Sequence, residues 1–268
     1  MAESKYIHGT KADEQQRLAA LNRLTNAPFL DFLELNDPRL GDNARVLEIG
    51  SGLGILAGEA SQRLRSGLVV GIEYSADQLR AASRDRAGLA FVQGDAHRLP
   101  LADDSIDIVY CRYLLEHVRD PLAVLGEARR VLKPGGHFFT QENDILLTAF
   151  EPDCPRFMAV WKSFVELQRR LGGDARIGRR LFGLLKSAGF REIELSMQPE
   201  VHWTGSPRFV PWVDNLIGNI VGAADTLVAE QLVDRSQIAA AVEELQAFEA
   251  HPAATAFFYW NRARGTKG

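Results

Sequence analysis

The sequence is poor in cysteine. Its 268 residues include two, Cys111 and Cys154, far apart and with no nearby pair, which argues against both a disulfide framework and a zinc knuckle. A reduced, cytoplasmic setting without a bound metal is the expectation. Positive charge is also short: 31 Lys and Arg stand against 35 Asp and Glu, a net charge of −4. Such a chain has no general field to attract a polyanion, and no long basic run precedes the tail at Arg262, Arg264 and Lys267. Nucleic acid is therefore not expected as a substrate. No run reaches the roughly 20 apolar residues that span a bilayer, and the opening Met1-Ala2-Glu3-Ser4-Lys5 lacks the apolar core of a signal peptide. A soluble protein with no membrane partner follows as an expectation. Internal repeats and low-complexity tracts are absent from the sequence as well.

What the chain does have is apolar content, at 46%, enough for one substantial core carrying a smaller cap. Its organising stretch is Val46-Leu47-Glu48-Ile49-Gly50-Ser51-Gly52-Leu53-Gly54, an apolar run that drives into three glycines at every second position. A helix-forming stretch, Ile55 to Leu64, follows. The pattern predicts a buried strand, a tight turn and a helix start. Without Cβ atoms the turn can take positive φ and approach a ligand closely, while unpaired N–H groups at the helix end face outward.

From residue 41 to 186 strand-like and helical runs alternate, the signature of an α/β fold with a parallel sheet covered on both faces. Strands are predicted at Arg45 to Ile49, Leu68 to Glu73, Leu89 to Gln93, Ile106 to Cys111 and Gly136 to Gln141. Helices are predicted at Ile55 to Leu64, Ala76 to Arg86 with Ser75 as N-cap, and Pro121 to Leu132 with Asp120 before a first-turn proline. The sequence divides into an N-terminal helical lid over 1–40, a core over 41–202 with a helical insertion near 150–178, a helical cap over 203–252, and a last strand and tail over 253–268. Within the core a second helix is read at Gly178 to Ala188 and a sixth strand at Glu192 to Met197, and Ala256 to Trp260 resumes the sheet after the cap. An insertion at that point is placed to cover a ligand crevice at the carboxyl ends of the strands.

Three features point to chemistry. Glu73 ends the second strand some twenty residues after the glycine turn, where a carboxylate can accept hydrogen bonds from both hydroxyls of a ribose. A nicotinamide dinucleotide turn prefers glycine or alanine at position 55, and Ile55 stands there, which weighs against an NAD-dependent oxidoreductase without removing it as the alternative. Asp95, in Gln93-Gly94-Asp95-Ala96 at the end of the third strand, is placed to read an adenine amino group; the plainer alternative is a turn former.

These stretches, together with Asp104-Ser105-Ile106-Asp107, Leu115-Glu116-His117 and Val131-Leu132-Lys133-Pro134-Gly135-Gly136, run in family order over residues 45 to 141. In this the chain resembles the S-adenosylmethionine-dependent methyltransferases with a Rossmann-like fold, in particular the broad group acting on small molecules such as natural products. The resemblance implies a seven-stranded sheet with the last strand antiparallel and S-adenosyl-L-methionine as cofactor. It puts the methionine end near Gly50, Ser51 and Gly52, the ribose on Glu73, and the adenine near Tyr74, Asp95 and Ala96. Arg112 and Tyr113 would form the floor beneath the sulfonium, and Tyr6, with Arg17 nearby, would belong to a lid closing over the cofactor. A packed N-terminal helix is the alternative for that segment.

For catalysis the candidates are His117, Glu116 and Tyr113, because a strand-to-helix position sets them at the site rim; the alternative is that they cap or pack the next helix. Glu142 and Asn143, just past the fifth strand, are candidates for a polar group of the substrate. Trp161, Trp203, Phe209, Trp212, Phe258 and Trp260 supply aromatics for an acceptor pocket, with Trp203, Trp212 and Phe258 as the chosen contacts. Aromatics at such spacings also serve as core. The expected acceptor is a small aromatic or apolar metabolite, methylated on carbon, nitrogen or oxygen, in specialised metabolism. A non-catalytic regulatory protein with the same fold is a further alternative, and a homo-oligomer through the N-terminal helices is compatible with the sequence.

Overall fold

The computed structural model describes residue 22 and residues 25–37, 40–82 and 88–268. Tyr6, Arg17 and most of the segment read as a lid lie outside the described residues. The chain enters through a helix over 25–32 (α1). It then runs β1 (Ala44–Ile49), α2 (Ile55–Arg63), β2 (Gly67–Glu73), α3 (Ala76–Ala81), β3 (Leu89–Gln93), β4 (Ile106–Arg112), α4 (Pro121–Val131) and β5 (Leu132–Glu142). The second half comprises β6 (Thr148–Glu151), α5 (Pro155–Arg170), α6 (Leu181–Ser187), β7 (Phe190–Trp203), α7 (Phe209–Gly222), α8 (Ala224–Ala229), α9 (Arg235–Ala250) and β8 (Thr255–Lys267).

Strands β1 to β5 pair in parallel. The inner strands β1, β2 and β4 are largely buried and read as the near-continuous apolar runs such strands require. The full order is β3-β2-β1-β4-β5-β8-β6, with β7 along the other side of β8. Because β8 is antiparallel to β5, β6 and β7 alike, it alone runs against the rest. The antiparallel last strand is as the sequence implied, but the sheet has eight strands, not seven. The additional strand is β6: the chain leaves β5 at Glu142, bulges through 143–147, and rejoins β8 opposite Thr255 to Phe258. Thr148-Ala149-Phe150-Glu151 is a short run with a single large apolar residue, too weak a pattern to announce a strand even though Pro152 and Pro155 separate it from the helix that follows.

Other boundaries shift as well. β7 runs fourteen residues to Trp203, not six, and β8 runs thirteen. The fifth strand begins at Leu132, but the Lys133-Pro134-Gly135-Gly136 turn survives as a break in register between Ile106↔Leu132 and Ile108↔His137.

Two layers flank the sheet. On one face α1 and α2 pack Phe29, Leu33 and Leu56 against Tyr110 and Phe139. On the other, α4 and α6 pack Leu125, Ala128, Leu181 and Leu185 against Val109 and Phe138. Beyond the sheet, α5, α7, α8 and α9 share a third core with β6 and β8, through Phe157 and Trp161, Phe209 and Trp212, Leu227, Leu245 and Phe248, Phe150, Phe258 and Trp260. The insertion near 150–178 and the 203–252 segment thus belong to one cap. Its helices are set locally: Asp234 and Gln237 form a reciprocal capping box at the start of α9. Among the described residues no helix is long and apolar enough to cross a membrane.

Candidate active site

A cavity of about 1200 Å³ lies where the carboxyl ends of β1, β2 and β4 meet the cap. One half is built by the glycine turn. Gly50, Gly52 and Gly54 take φ of 77°, 53° and 68°, and the N–H groups of Gly50 and Ser51 both donate to Ile72 O, at 2.8 and 3.0 Å. A Cβ on Gly50 would come to 3.0 Å from Leu114 Cδ1. α2 then opens on Gly54 without a side-chain cap, whereas α3 and α4 have theirs, Ser75 accepting from Gln78 N and Asp120 from Ala123 N. The N-cap residue therefore leaves the first N–H groups of α2 without a cap of its own, and it is Glu48, from β1, that accepts from Ala57 N–H in that first turn. Ser51 Oγ, buried in the same turn, has no hydrogen-bond partner among the described residues.

Glu73 closes this turn from the next strand. Its Oε2 accepts Gly52 N–H at 2.9 Å and its Oε1 accepts Ser75 N–H at 2.9 Å. Tyr74, 64% exposed, and Ala96 line the same wall. Asp95 also lines it, with Oδ1 accepting His97 N–H at 2.9 Å and lying 2.8 Å from His97 Nδ1. Partial burial pushes Asp95 up, but the backbone and ring contacts of His97 outweigh it and hold the carboxyl below its usual range.

Arg112 stands between the halves. Its guanidinium donates to Asn26 Oδ1 at 2.6 Å, Asn22 Oδ1 at 2.8 Å and Thr25 Oγ1 at 3.1 Å, and lies over the rings of Phe29 and Tyr113. Much of its hydrogen-bonding capacity fastens the N-terminal helix over the site. Beside it is Glu48, a residue the sequence reading passed over. Burial pushes its carboxyl up to about 8, against the opposing pull of Arg112 and a hydrogen bond from Tyr110 Oη. Its signal was present, since an acidic residue inside Val46-Leu47-Glu48-Ile49 must find a partner or stay neutral.

The turn after β4 carries Tyr113, Glu116 and His117, and all three face the cavity. Tyr113 adopts φ 54°, accepts Gln141 Nε2–H at 2.7 Å and packs on Trp260 with centroids 4.6 Å apart. Burial pushes its phenol well up, beyond what Arg112 can offset. Glu116 is buried, with both carboxylate oxygens accepting from Asn143 Nδ2, at 2.8 and 2.9 Å, and with His117 Nε2 at 3.5 Å. Gln168 Nε2 donates to Glu116 O at 2.8 Å and stands 3.5 Å from His117 Nδ1.

Two of the sequence-chosen substrate residues sit elsewhere. Glu142 is fully buried and does not line the cavity. Its oxygens accept the N–H groups of Leu114, Leu115 and Glu116 at 3.2, 3.0 and 3.3 Å, so it holds the turn that bears the catalytic candidates. Trp203 is 52% exposed and lies on the outer face of β7 with Leu195, Met197 and Val201. Successive strand residues alternate faces, and it is Glu200 and His202, one step out of phase, that turn toward the cap. Phe209 is core, buried at 1%. Trp212, Phe258, Trp161 and Trp260 do line the cavity, joined by Gln168, Glu200, Asn215 and Asn219, which sequence reasoning missed. Among the described residues no group of three or more His, Cys, Asp or Glu is placed to hold a metal ion.

Residues 47–140 match a family model described as a methyltransferase domain. Among curated proteins, an uncharacterized 37.1 kDa protein in a transposon of Streptomyces fradiae is 40% identical over 165 residues, covering 59% of this chain and 46% of that protein. The demethylmenaquinone methyltransferase of Renibacterium salmoninarum is 36% identical over 99 residues, 37% of this chain and 40% of that one. The chain thus spans less than half the length of these relatives. Among solved structures, Haemonchus contortus phosphoethanolamine N-methyltransferase 2, in complex with phosphomonomethylethanolamine and S-adenosylhomocysteine, superposes with a TM-score of 0.52 at 21% identity, over 94% of this chain and 52% of that one. At that identity the likeness is one of fold.

Proposed function

Residues 47–140 being a methyltransferase domain on a Rossmann-like fold, we propose that the protein transfers a methyl group from S-adenosylmethionine to a small acceptor held under the helical cap. The observation that carries this reading is the single cavity joining the glycine turn, Glu73 and Asp95 on one side to Glu116, Trp212, Phe258 and Trp260 on the other, with Arg112 and Tyr113 between.

The residues present fit the cofactor. Ser51 Oγ is an unpartnered buried polar atom, the N-cap residue of α2 provides no side-chain cap, and a side chain at Gly50 would intrude on Leu114. Gly50, Ser51 and Gly52 would hold the methionine end, Glu73 the ribose, and Tyr74, Asp95 and Ala96 the adenine. Beside the methionine end, Glu48 near its raised value offers a carboxyl able to donate as well as accept. When bound, S-adenosylmethionine supplies an activated methyl group on a sulfonium.

The chain's own residues then align and desolvate the acceptor. Proximity and orientation are worth roughly 7–11 kcal/mol in favourable cases, so the aromatic wall and the fastening of α1 by Arg112 contribute by excluding water and fixing approach. Where the acceptor must lose a proton, Glu116 is the group that takes it. It faces the cavity with its carboxylate held by Asn143, whereas Tyr113 is held as a phenol and His117 Nδ1 faces Gln168. Such a base contributes about 10²–10⁴ in rate.

Calorimetry with S-adenosylmethionine and its demethylated product tests the assignment. Saturable binding by the wild-type protein and at least tenfold weaker binding by Glu73→Ala are expected. Absence of binding to either compound would end the cofactor reading, and undiminished affinity in Glu73→Ala would end the ribose role.

A further inference from the structure

The acceptor half of the cavity has a charge balance that narrows its ligand, an inference that rests on the two-part reading of the cavity above. Its walls are aromatic: Tyr113, Trp161, Phe164, Trp212, Phe258 and Trp260. Trp260 sits at the centre, with its ring centroid 4.6 Å from those of both Tyr113 and Phe258. Between these rings lie two carboxylates on different elements. Glu116 comes from the turn after β4. Glu200 comes from β7, where register pairs Glu200 with Phe258 and Gln198 with Trp260, so that its side chain emerges on the same sheet face as those rings.

Of the cations at the cavity wall, Arg112 is turned to Asn22, Thr25 and Asn26, and none is hydrogen-bonded to Glu200 among the described residues. Arg119 reaches the wall from an exposed position. Arg262, the buried guanidinium that feels the field of Glu200, lies outside the cavity wall and donates to Gln141 and Gln198. His202 Nε2 lies 3.4 Å from Glu200 Oε2, and Oε1 takes no hydrogen bond from the described residues. With a side chain 12% exposed, Glu200 is a largely desolvated carboxylate with an open oxygen in an aromatic enclosure. A second observation is independent of charge: Trp260, 7% exposed, leaves its indole Nε1 without a partner among the described residues. A buried donor of this kind costs free energy unless something completes it.

We propose that the acceptor half recognises a cationic amine carried on a flat apolar body, with Glu200 receiving the ammonium and the aromatic faces receiving the rest. The chemistry follows from two rules. A buried carboxylate is stabilised by a hydrogen-bonded cation, and aromatic faces within about 6 Å attract a desolvated cation through their quadrupole. An anionic acceptor would meet the Glu200 carboxylate, and a neutral one would leave its Oε1 without a charged donor. Asn215 and Asn219 of α7 and the Trp260 indole supply neutral donors and acceptors for the remainder of the molecule.

The test compares two probes of nearly equal shape, 2-phenylethylammonium and neutral 2-phenylethanol, titrated into the protein saturated with S-adenosylhomocysteine and followed by tryptophan fluorescence. The ammonium is expected to bind at least about tenfold more tightly, the discrimination of one charge-assisted hydrogen bond. Glu200→Gln is expected to bring the two probes within about twofold of each other while S-adenosylhomocysteine affinity is retained. Equal affinity for the two probes in the wild type, binding of neither at millimolar concentration, or a preference that persists in Glu200→Gln would each overturn the proposal. The wild-type comparison decides the matter by itself if the variant does not fold. Because S-adenosylhomocysteine binding is measured first, failure of the cofactor reading is seen separately from failure of the amine reading.

Discussion

Replacing Glu142 by glutamine separates a carboxyl that holds a turn from one that touches a substrate. Oε1 of Glu142 accepts the N–H groups of Leu114 and Leu115 and lies 3.2 Å from the Thr140 hydroxyl, and Oε2 accepts the N–H of Glu116. A glutamine keeps one acceptor oxygen for the first pair and turns an NH₂ toward the third. One buried donor is left unpaired, at a cost of about 1–3 kcal/mol. A second effect opposes it and depends on pH. Burial pushes Glu142 up from 4.5 to about 7, more than the N–H groups of Leu115, Leu114 and Glu116 and the Thr140 hydroxyl hold it down.

Between those two values the native chain keeps a proton that the unfolded chain has released, so wild-type stability falls as pH rises through the window. At about 1.4 kcal/mol per pH unit the window amounts to roughly 3 kcal/mol, and glutamine has no such titration. Glu142→Gln is therefore expected to be less stable than wild type at pH 5 by about 1–3 kcal/mol and to draw level with it, or pass it, by pH 8. Urea unfolding at the two pH values measures the difference. A deficit that does not change with pH would refute the protonated buried carboxyl. Unchanged stability at both, together with weaker acceptor binding, would return Glu142 to the substrate.

Three further outcomes are expected. Gly50→Ala forces a Cβ onto a residue at φ 77° and to 3.0 Å from Leu114 Cδ1; left-handed backbone alone costs about 1–2 kcal/mol, and calorimetry should show S-adenosylhomocysteine affinity falling tenfold or more. Asn143→Ala removes both hydrogen bonds to the buried Glu116 carboxylate; with an acceptor that must lose a proton, kcat should drop by about 10²-fold while cofactor affinity holds, and an unaltered kcat would remove Glu116 from proton transfer. Trp203→Ala, on the outer face of β7, should leave probe binding in the cavity unchanged and stability within about 0.5 kcal/mol, whereas Trp212→Ala, in the cavity wall and stacked on His202 at 4.5 Å, should weaken probe binding several-fold in the same fluorescence titration.

The cofactor half was legible because its constraints are local. A glycine needed at positive φ, an acidic residue closing the next strand and a turn residue ending the third all lie within a few positions of a predictable strand end. Periodicity locates those ends, and Gly50, Gly52, Glu73 and Asp95 do line one wall of the cavity. Glu48 was missed there although its oddness in an apolar strand was visible.

The acceptor half was determined by pairings that sequence distance hides. Which face of β7 looks into the cavity depends on a register shift between Arg191 and Glu194, and one residue of slip exchanges Trp203 for His202. Likewise Glu142 and Asn143 are neighbours in sequence, yet the former turns under the Leu114–Glu116 backbone and the latter toward Glu116 in the cavity wall. The amino-acid sequence by itself determined the doubly covered parallel sheet and the glycine turn closed by Glu73, because turn geometry and strand burial are written in adjacent residues, while the antiparallel last strand followed from the family resemblance. The tertiary structure alone decided which aromatics line the cavity and that Glu116 and Glu200 stand among them, because long-range register, not local propensity, sets where a side chain points.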